Sequence, residues 1–313
     1  MISIGDAILK LGIDTKDFER GMQGITGTIK KHQKAIGIGM TAVGGVILAG
    51  LGLCMKATSD FETSMREVNT MMGLSSEEFV AFSKEVRSLA ADMGVDAVES
   101  AKALYQAISA GIPKDNALEF LRIATEAAIG GVTSTEVAVD GLSTVINAFK
   151  LPLSDTQKVA DLMFTTVKGG KTTFEELSAS LFNVAPIAAA SGVSFDIVSA
   201  ALATMTKQGV PTKIATTQLK MAMVALQKPT VDMNKAVKSL GFESGQTMLK
   251  ELGFAKTLEM LRTSTMGNNE ELMKMFGSVD AGAAVLALTG ENAAMFAADL
   301  DAMAASEGAA TDA

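Results

Sequence analysis

The chain has 313 residues, 48% of them hydrophobic and 20% charged, enough apolar material for a core and too little charge for a disordered chain. Lys plus Arg number 27 against 35 Asp plus Glu, a net charge of −8, which argues against a nucleic-acid binder with a general basic face. One cysteine, Cys54, and one histidine, His32, exclude a disulfide framework, a Cys-rich metal site and a two-His zinc motif, and leave a His-based triad without support.

Residues 1–34 are polar, and basic towards their end at Lys30, Lys31 and Lys34, a cluster in which His32 reads as a surface residue. Met1-Ile2-Ser3-Ile4 has no basic stretch followed by an apolar one, so no signal peptide is expected. Residues 35–56 form the second segment. Its 21 residues from Ala35 to Met55, between Lys34 and Lys56, carry no charge. As a helix they could cross a hydrocarbon core of about 30 Å. Gly37, Thr41, Gly45 and Ala49 recur every fourth residue, a small-residue stripe on which a second helix or a bilayer could pack. The competing reading is a buried helix, because glycine adds little apolar area and weakens a helix. Basic residues are denser before the segment (Arg20, Lys30, Lys31, Lys34) than after it (Lys56, Arg66), which would keep the N-terminus cytoplasmic on insertion. Cys54 falls in the apolar run and reads as a small buried hydrophobe.

Residues 60–290 read as helix after helix. Leu142, Val145, Ile146 and Phe149 make one 3.6-period stripe, and Leu177, Leu181, Val184 and Ala188 another. Capping-box patterns mark starts at Ser75–Glu78, Thr133–Glu136, Ser154–Gln157 and Thr173–Glu176. Gly94, Gly111-Ile112-Pro113, Gly130-Gly131, Leu151-Pro152, Gly192 and Gly209-Val210-Pro211 mark stops. No stretch alternates with period two. The spacing predicts an all-α fold, an array of short helical hairpins preceded by the apolar helix. An echo at an offset of 98 residues suggests an internal pseudo-repeat: Gly94-Val95 recurs as Gly192-Val193, and the turn Gly111, Pro113 as Gly209, Pro211. Residues 291–313 are Ala-rich and acidic with no obvious packed face after Met303, a tail expected to be flexible or truncated.

Chemistry-bearing patterns are weak. Lys168-Gly169-Gly170-Lys171-Thr172 suggests a phosphate loop, but Thr165 stands where the motif needs glycine and a helix precedes it; a Gly-Gly helix stop with a Thr cap fits better. Glu77-Glu78, Glu175-Glu176 and Glu270-Glu271 lie in first helical turns, where negative charge suits the helix dipole. The 20 Met residues read as core filler. No catalytic residue, cofactor site or metal ligand set emerges, and no enzymatic activity is expected.

Asp60-Phe61-Glu62-Thr63-Ser64-Met65 followed by Val68 resembles the start of the core region of phage tail tape measure proteins. The likeness continues in order through Ala101-Lys102-Ala103-Leu104, Asn147-Ala148-Phe149-Lys150-Leu151, Val159-Ala160-Asp161-Leu162, Val184-Ala185-Pro186-Ile187-Ala188, Ser239-Leu240-Gly241, Phe276-Gly277 and Ala287-Leu288. The resemblance implies a structural role in the virion tail: lining the tail tube, setting its length during assembly in the host cytoplasm, and leaving it at genome ejection, with the host inner membrane as a possible destination. It implies copies of the chain itself, tail tube subunits and tail assembly chaperones as partners, with no sequence-specific nucleic-acid binding. Tape measures are usually much longer than this chain, whose residues as one helix would reach only about 470 Å at about 1.5 Å per residue. A fragment, a split gene and a degraded prophage copy are the readings left open. Two other functions compete: a membrane-active pore-former resting on residues 35–55, and a soluble helical-hairpin scaffold that binds a partner helix.

Overall fold

The computed structural model describes residues 57–313. The apolar segment 35–55 with Gly37, Thr41, Gly45 and Ala49, and also His32 and Cys54, lie outside the described residues. The chain divides into two compact units, Met1–Asp60 and Phe61–Ala313, and the second carries the architecture.

Every regular element among the described residues is helical, as the 3.6 periodicity predicts. In chain order they are α1 (57–72), α2 (Ser76–Asp92), α3 (Ala97–Ser109), α4 (Lys114–Gly130), α5 (Thr135–Phe149), α6 (Thr156–Gly169), α7 (Phe174–Ser191), α8 (Phe195–Lys207) and α9 (Thr212–Gln227). Four short helices follow, α10 (Val231–Ser239), α11 (Gly245–Leu252), α12 (Phe254–Ser264) and α13 (Asn269–Phe276), and then α14 (Val279–Leu288) and α15 (Ala293–Ala304).

Local chemistry sets the boundaries. At α2 the capping box is complete: Glu78 N–H donates to Ser75 Oγ at 3.3 Å and Ser75 N–H to the Glu78 carboxylate at 2.8 Å. Thr173 caps α7 by accepting from Glu176 N–H at 3.1 Å. Two expected starts differ. Thr133 N–H closes the end of α4 on the Ala128 carbonyl, so Ser134 caps α5 instead. No box forms at Ser154–Gln157, where Pro152 leads into a 3-10 turn, Leu153–Asp155. Pro186 lies inside α7 on its exposed side, where the carbonyl deprived of its intrahelical donor can meet water.

The helices build two rows. α3, α5, α7 and α9 pack side by side, and α14 continues them; α4, α6 and α8 form the other row, extended by α15. α3 and α5, and α7 and α9, run parallel, whereas α14 and α15 run opposite to the helices they extend: Gln208 meets Ala287 at the end of α14 and Asn292 at the start of α15, and Thr230 beyond α9 meets Met275 before α14. Thr172 meets Thr212 at 2.7 Å where α7 and α9 start, and Gln227 reaches Ser191 at 2.6 Å where they end. At the same end of the row, Asn147 of α5 donates to the Ala110 carbonyl just past α3 at 2.8 Å. Starts at residues 97, 135, 174 and 212 make the two-helix unit 38 or 39 residues long. The predicted stripes point into the space between rows: Leu142, Val145 and Ile146, and all of Leu177, Leu181, Val184 and Ala188, are buried.

The echo at 98 residues appears in local geometry. α2, α3 and α4 start at residues 76, 97 and 114, and α7, α8 and α9 at 174, 195 and 212. Gly111 and Gly209 share a φ of 90°, and Ile112 N–H to Ala107 O is matched by Val210 N–H to Met205 O. The offset spans five helices, an odd number in a two-row array. So α3 lies in one row and α8 in the other, and the turn at Gly111 and Pro113 sits at the opposite edge from the turn at Gly209 and Pro211.

The stretch past residue 290, expected as a flexible or truncated tail, carries a packed helix. α15 packs on α8 and α6 with Phe296 and Met303 buried, and Ala310 is buried beyond it. Asp299 of α15 accepts from Thr204 at 2.7 Å and pairs with Lys207. Phe296 and Met303 are apolar anchors, but Thr204, Lys207 and Asp299 are polar ones, which hydrophobic periodicity does not register. Among the described residues no single helix is long and apolar enough to cross a membrane; Val279–Leu288 and Gly290–Ala304 reach that length and composition only together, bent by 47°.

Candidate functional site: an apolar face on α7 and α9

The sequence motifs resolve into structural roles. α6 ends at Gly169, and Gly170 N–H donates to the Thr166 carbonyl at 2.8 Å. A Cβ on Gly170 would stand 2.5 Å from Thr206 Oγ1, so glycine permits the close approach of α8. Lys171 N–H donates to the same Thr206 Oγ1 at 3.1 Å. Both amides that a phosphate loop would offer are therefore engaged inside the fold. Of the acidic pairs, Glu78 is held below the usual carboxylate value, first by the Ser75 backbone N–H and then by the Ser75 hydroxyl. Glu270 is also held low, by its hydrogen bond and then its charge interaction with Lys274, 2.9 Å away. Glu176 accepts from Thr212 Oγ1 at 3.1 Å, joining the starts of α7 and α9. Among the described residues no group of three His, Cys, Asp or Glu side chains could hold a metal ion.

Small residues set helix spacing inside the array. A Cβ on Gly141 of α5 would collide with Ser178 Oγ of α7 and lie 2.8 Å from Met163 Cε of α6. Gly111 and Pro113 lie between α3 and α4, and Gly209 and Pro211 between α8 and α9; the fold does not bring the two pairs together.

The feature with binding character is on α7. Its buried stripe faces the core, while Ala179, Phe182, Pro186 and Ala190 lie on the opposite, exposed side. Phe182 is 67% exposed. Between α7 and α9 lies a groove of about 590 Å³, lined among others by Glu176, Phe182, Asn183, Thr212 and Thr217. Asn183 holds it in place by donating to Thr217 Oγ1 at 2.8 Å and accepting from Lys220 Nζ at 3.1 Å. Such a surface can bind by apolar contact with a polar rim. Its residues include no nucleophile–base pair. Of the four positions 98 residues earlier, Ala81 is also alanine, but Lys84, Ser88 and Asp92 are polar. The sequence reading missed this face. The signal was present, since α7 carries a second apolar stripe behind the first, but its first stripe alone accounts for a core helix.

Residues 83–277 match the model of the phage-related minor tail protein family, and the chain belongs to that family. It is 33% identical over 311 residues to the "Probable tape measure protein" of Clostridium phage phiCD119, covering 96% of this chain and 33% of the relative. It is 24% identical over 266 residues to the "Probable tape measure protein" of Escherichia phage P2, 82% of this chain and 32% of the relative. It is also 22% identical over 248 residues to the "Tape measure protein" of Pneumococcus phage Dp-1, 77% of this chain and 22% of the relative. The chain thus spans a third or less of the length of the curated relatives it matches. No solved structure matches it.

Proposed function

We propose that this chain acts in the phage tail as part of a tape measure: in tail tube assembly, in length determination and in genome ejection. The observation that carries the reading is the 33% identity to a named tape measure protein along 96% of the chain. The role is structural rather than enzymatic, which fits an array whose polar groups serve as caps and helix ties. The folded array would contribute to length far less than about 1.5 Å per residue, because its helices double back. Length would then be set mainly by sequence that the relatives have and this chain does not match. Copies of the chain, tail tube subunits and assembly chaperones are the proposed partners. An apolar face such as that around Phe182 would need cover before assembly. The segment 35–55, as an apolar stretch of membrane-spanning length, supports contact with the host membrane at ejection. The matched geometry of α2–α4 and α7–α9 supports an origin of the two blocks by duplication.

The test is removal of the coding region for residues 57–313 from the phage or prophage, followed by electron microscopy of the particles. Tails should be missing or of uncontrolled length, and infectivity lost. Normal-length tails on infectious particles would refute the reading.

A further inference from the structure

We propose that residues 305–313 form a releasable strap across the α6–α15 trough, latched by the carboxylate of Asp161. Asp161 lies on α6 and is 2% exposed. Its Oδ2 accepts from Gly308 N–H at 2.9 Å, and its Oδ1 from Ala310 N–H at 2.9 Å and Gln157 Nε2 at 3.2 Å. Gln157 also donates to Thr311 Oγ1 at 3.2 Å. The latch therefore reads the main chain of a turn, and two of its bonds run from backbone N–H to a charged acceptor, the stronger kind of hydrogen bond.

Beyond the latch, the strap is held by small contacts: Ser306 and Ala310 are buried, and Ala310 and Ala313 lie beside Gly130 of α4. Past Ala304 the sequence has no apolar side chain larger than alanine, so its burial contributes little hydrophobic free energy. α15, by contrast, is fixed through Phe296, Met303 and the Lys207–Asp299 pair. Beneath the strap the trough is open. One cavity of about 480 Å³ lies over the first half of α6 and one of about 320 Å³ over its end, and both are lined by Met303 and Ser306. Lifting the strap joins them into one channel along α6, lined by polar groups such as Gln157, Asp161 and Lys168 with Leu162 and Met303 among them. A segment held by a few polar bonds opens at lower free energy than the core it covers.

Hydrogen exchange on the full chain tests the latch. In the wild type, amides of residues 308–311 should exchange faster than those of α7 and α9. Asp161→Ala should speed them roughly tenfold or more, the loss expected for two charge-assisted bonds, while α7 and α9 keep their protection. Gly308 has a φ of 82°, so Gly308→Val opposes the turn without touching the core and should act in the same direction. If Asp161→Ala unfolds the chain, Gly308→Val alone decides. Strap amides that exchange with the core in the wild type, or that Gly308→Val leaves unchanged, overturn the proposal.

Discussion

The blocks α2–α4 and α7–α9 start their helices 98 residues apart and turn at Gly111 and Gly209 with the same φ of 90°, yet they face different surroundings. α7 and α9 lie deep in one row, flanked by α5 and α14, whereas α2 and α3 stand near the beginning of the array. The exposed side of α2 is polar at Lys84, Ser88 and Asp92; that of α7 carries Phe182, Pro186 and Ala190. Local geometry recurs because caps, turns and helix lengths are decided within a few residues. Packing and surface do not recur, because neighbours are decided by position in the array.

The largest effect separates the blocks by packing. Leu104 and Leu202 are equivalent and fully buried. Either change to alanine should cost about 2–5 kcal/mol in urea unfolding. Leu202→Ala should cost more, since α8 is enclosed by α6, α9, α14 and α15 while α3 packs on α2, α4 and α5. Equal losses would mean that the blocks are packed alike after all.

The turns should behave alike. No atom stands within 4 Å of a Cβ added at Gly111 or Gly209, so the penalty is that of the backbone alone. Gly111→Ala and Gly209→Ala should each lower stability by about 1–2 kcal/mol, and by the same amount. A clear inequality would show that one turn carries a constraint beyond its own φ.

Caps sharpen the comparison further. Ser75→Ala and Thr173→Ala should each cost about 1 kcal/mol. The reciprocal Glu78 bond gives the first block a pH dependence. The folded-state pKa of Glu78 is depressed, so its contribution is present above the usual carboxylate value and is lost as pH falls through the lower folded value. NMR titration should show that pKa returning towards the usual value in Ser75→Ala.

The smallest effect on stability concerns the outer faces. Phe182→Lys and Lys84→Phe should each change stability by no more than about 0.5 kcal/mol, because both side chains are exposed. Sedimentation should nevertheless show association weakened by the first and strengthened by the second. Unchanged sedimentation in both would leave the α7 face without a role in association.

The amino-acid sequence by itself determined the all-α class, most helix starts and stops, the inward stripes and the family, because hydrogen-bonded caps, positive-φ glycines and 3.6-residue periodicity act over a few residues. It also carried the local echo at Gly111-Ile112-Pro113 and Gly209-Val210-Pro211. Only the tertiary structure decided that an offset of five helices places those turns at opposite edges and their helices in opposite rows. Only it showed that the Thr133 amide serves the helix before it, that Gly141 admits Ser178, and that Asp161 holds a turn 147 residues away in sequence. Those outcomes rest on contacts between distant segments. A carboxylate bonded to backbone N–H groups, or a glycine chosen for a neighbour's side chain, leaves no periodic trace in the residues around it.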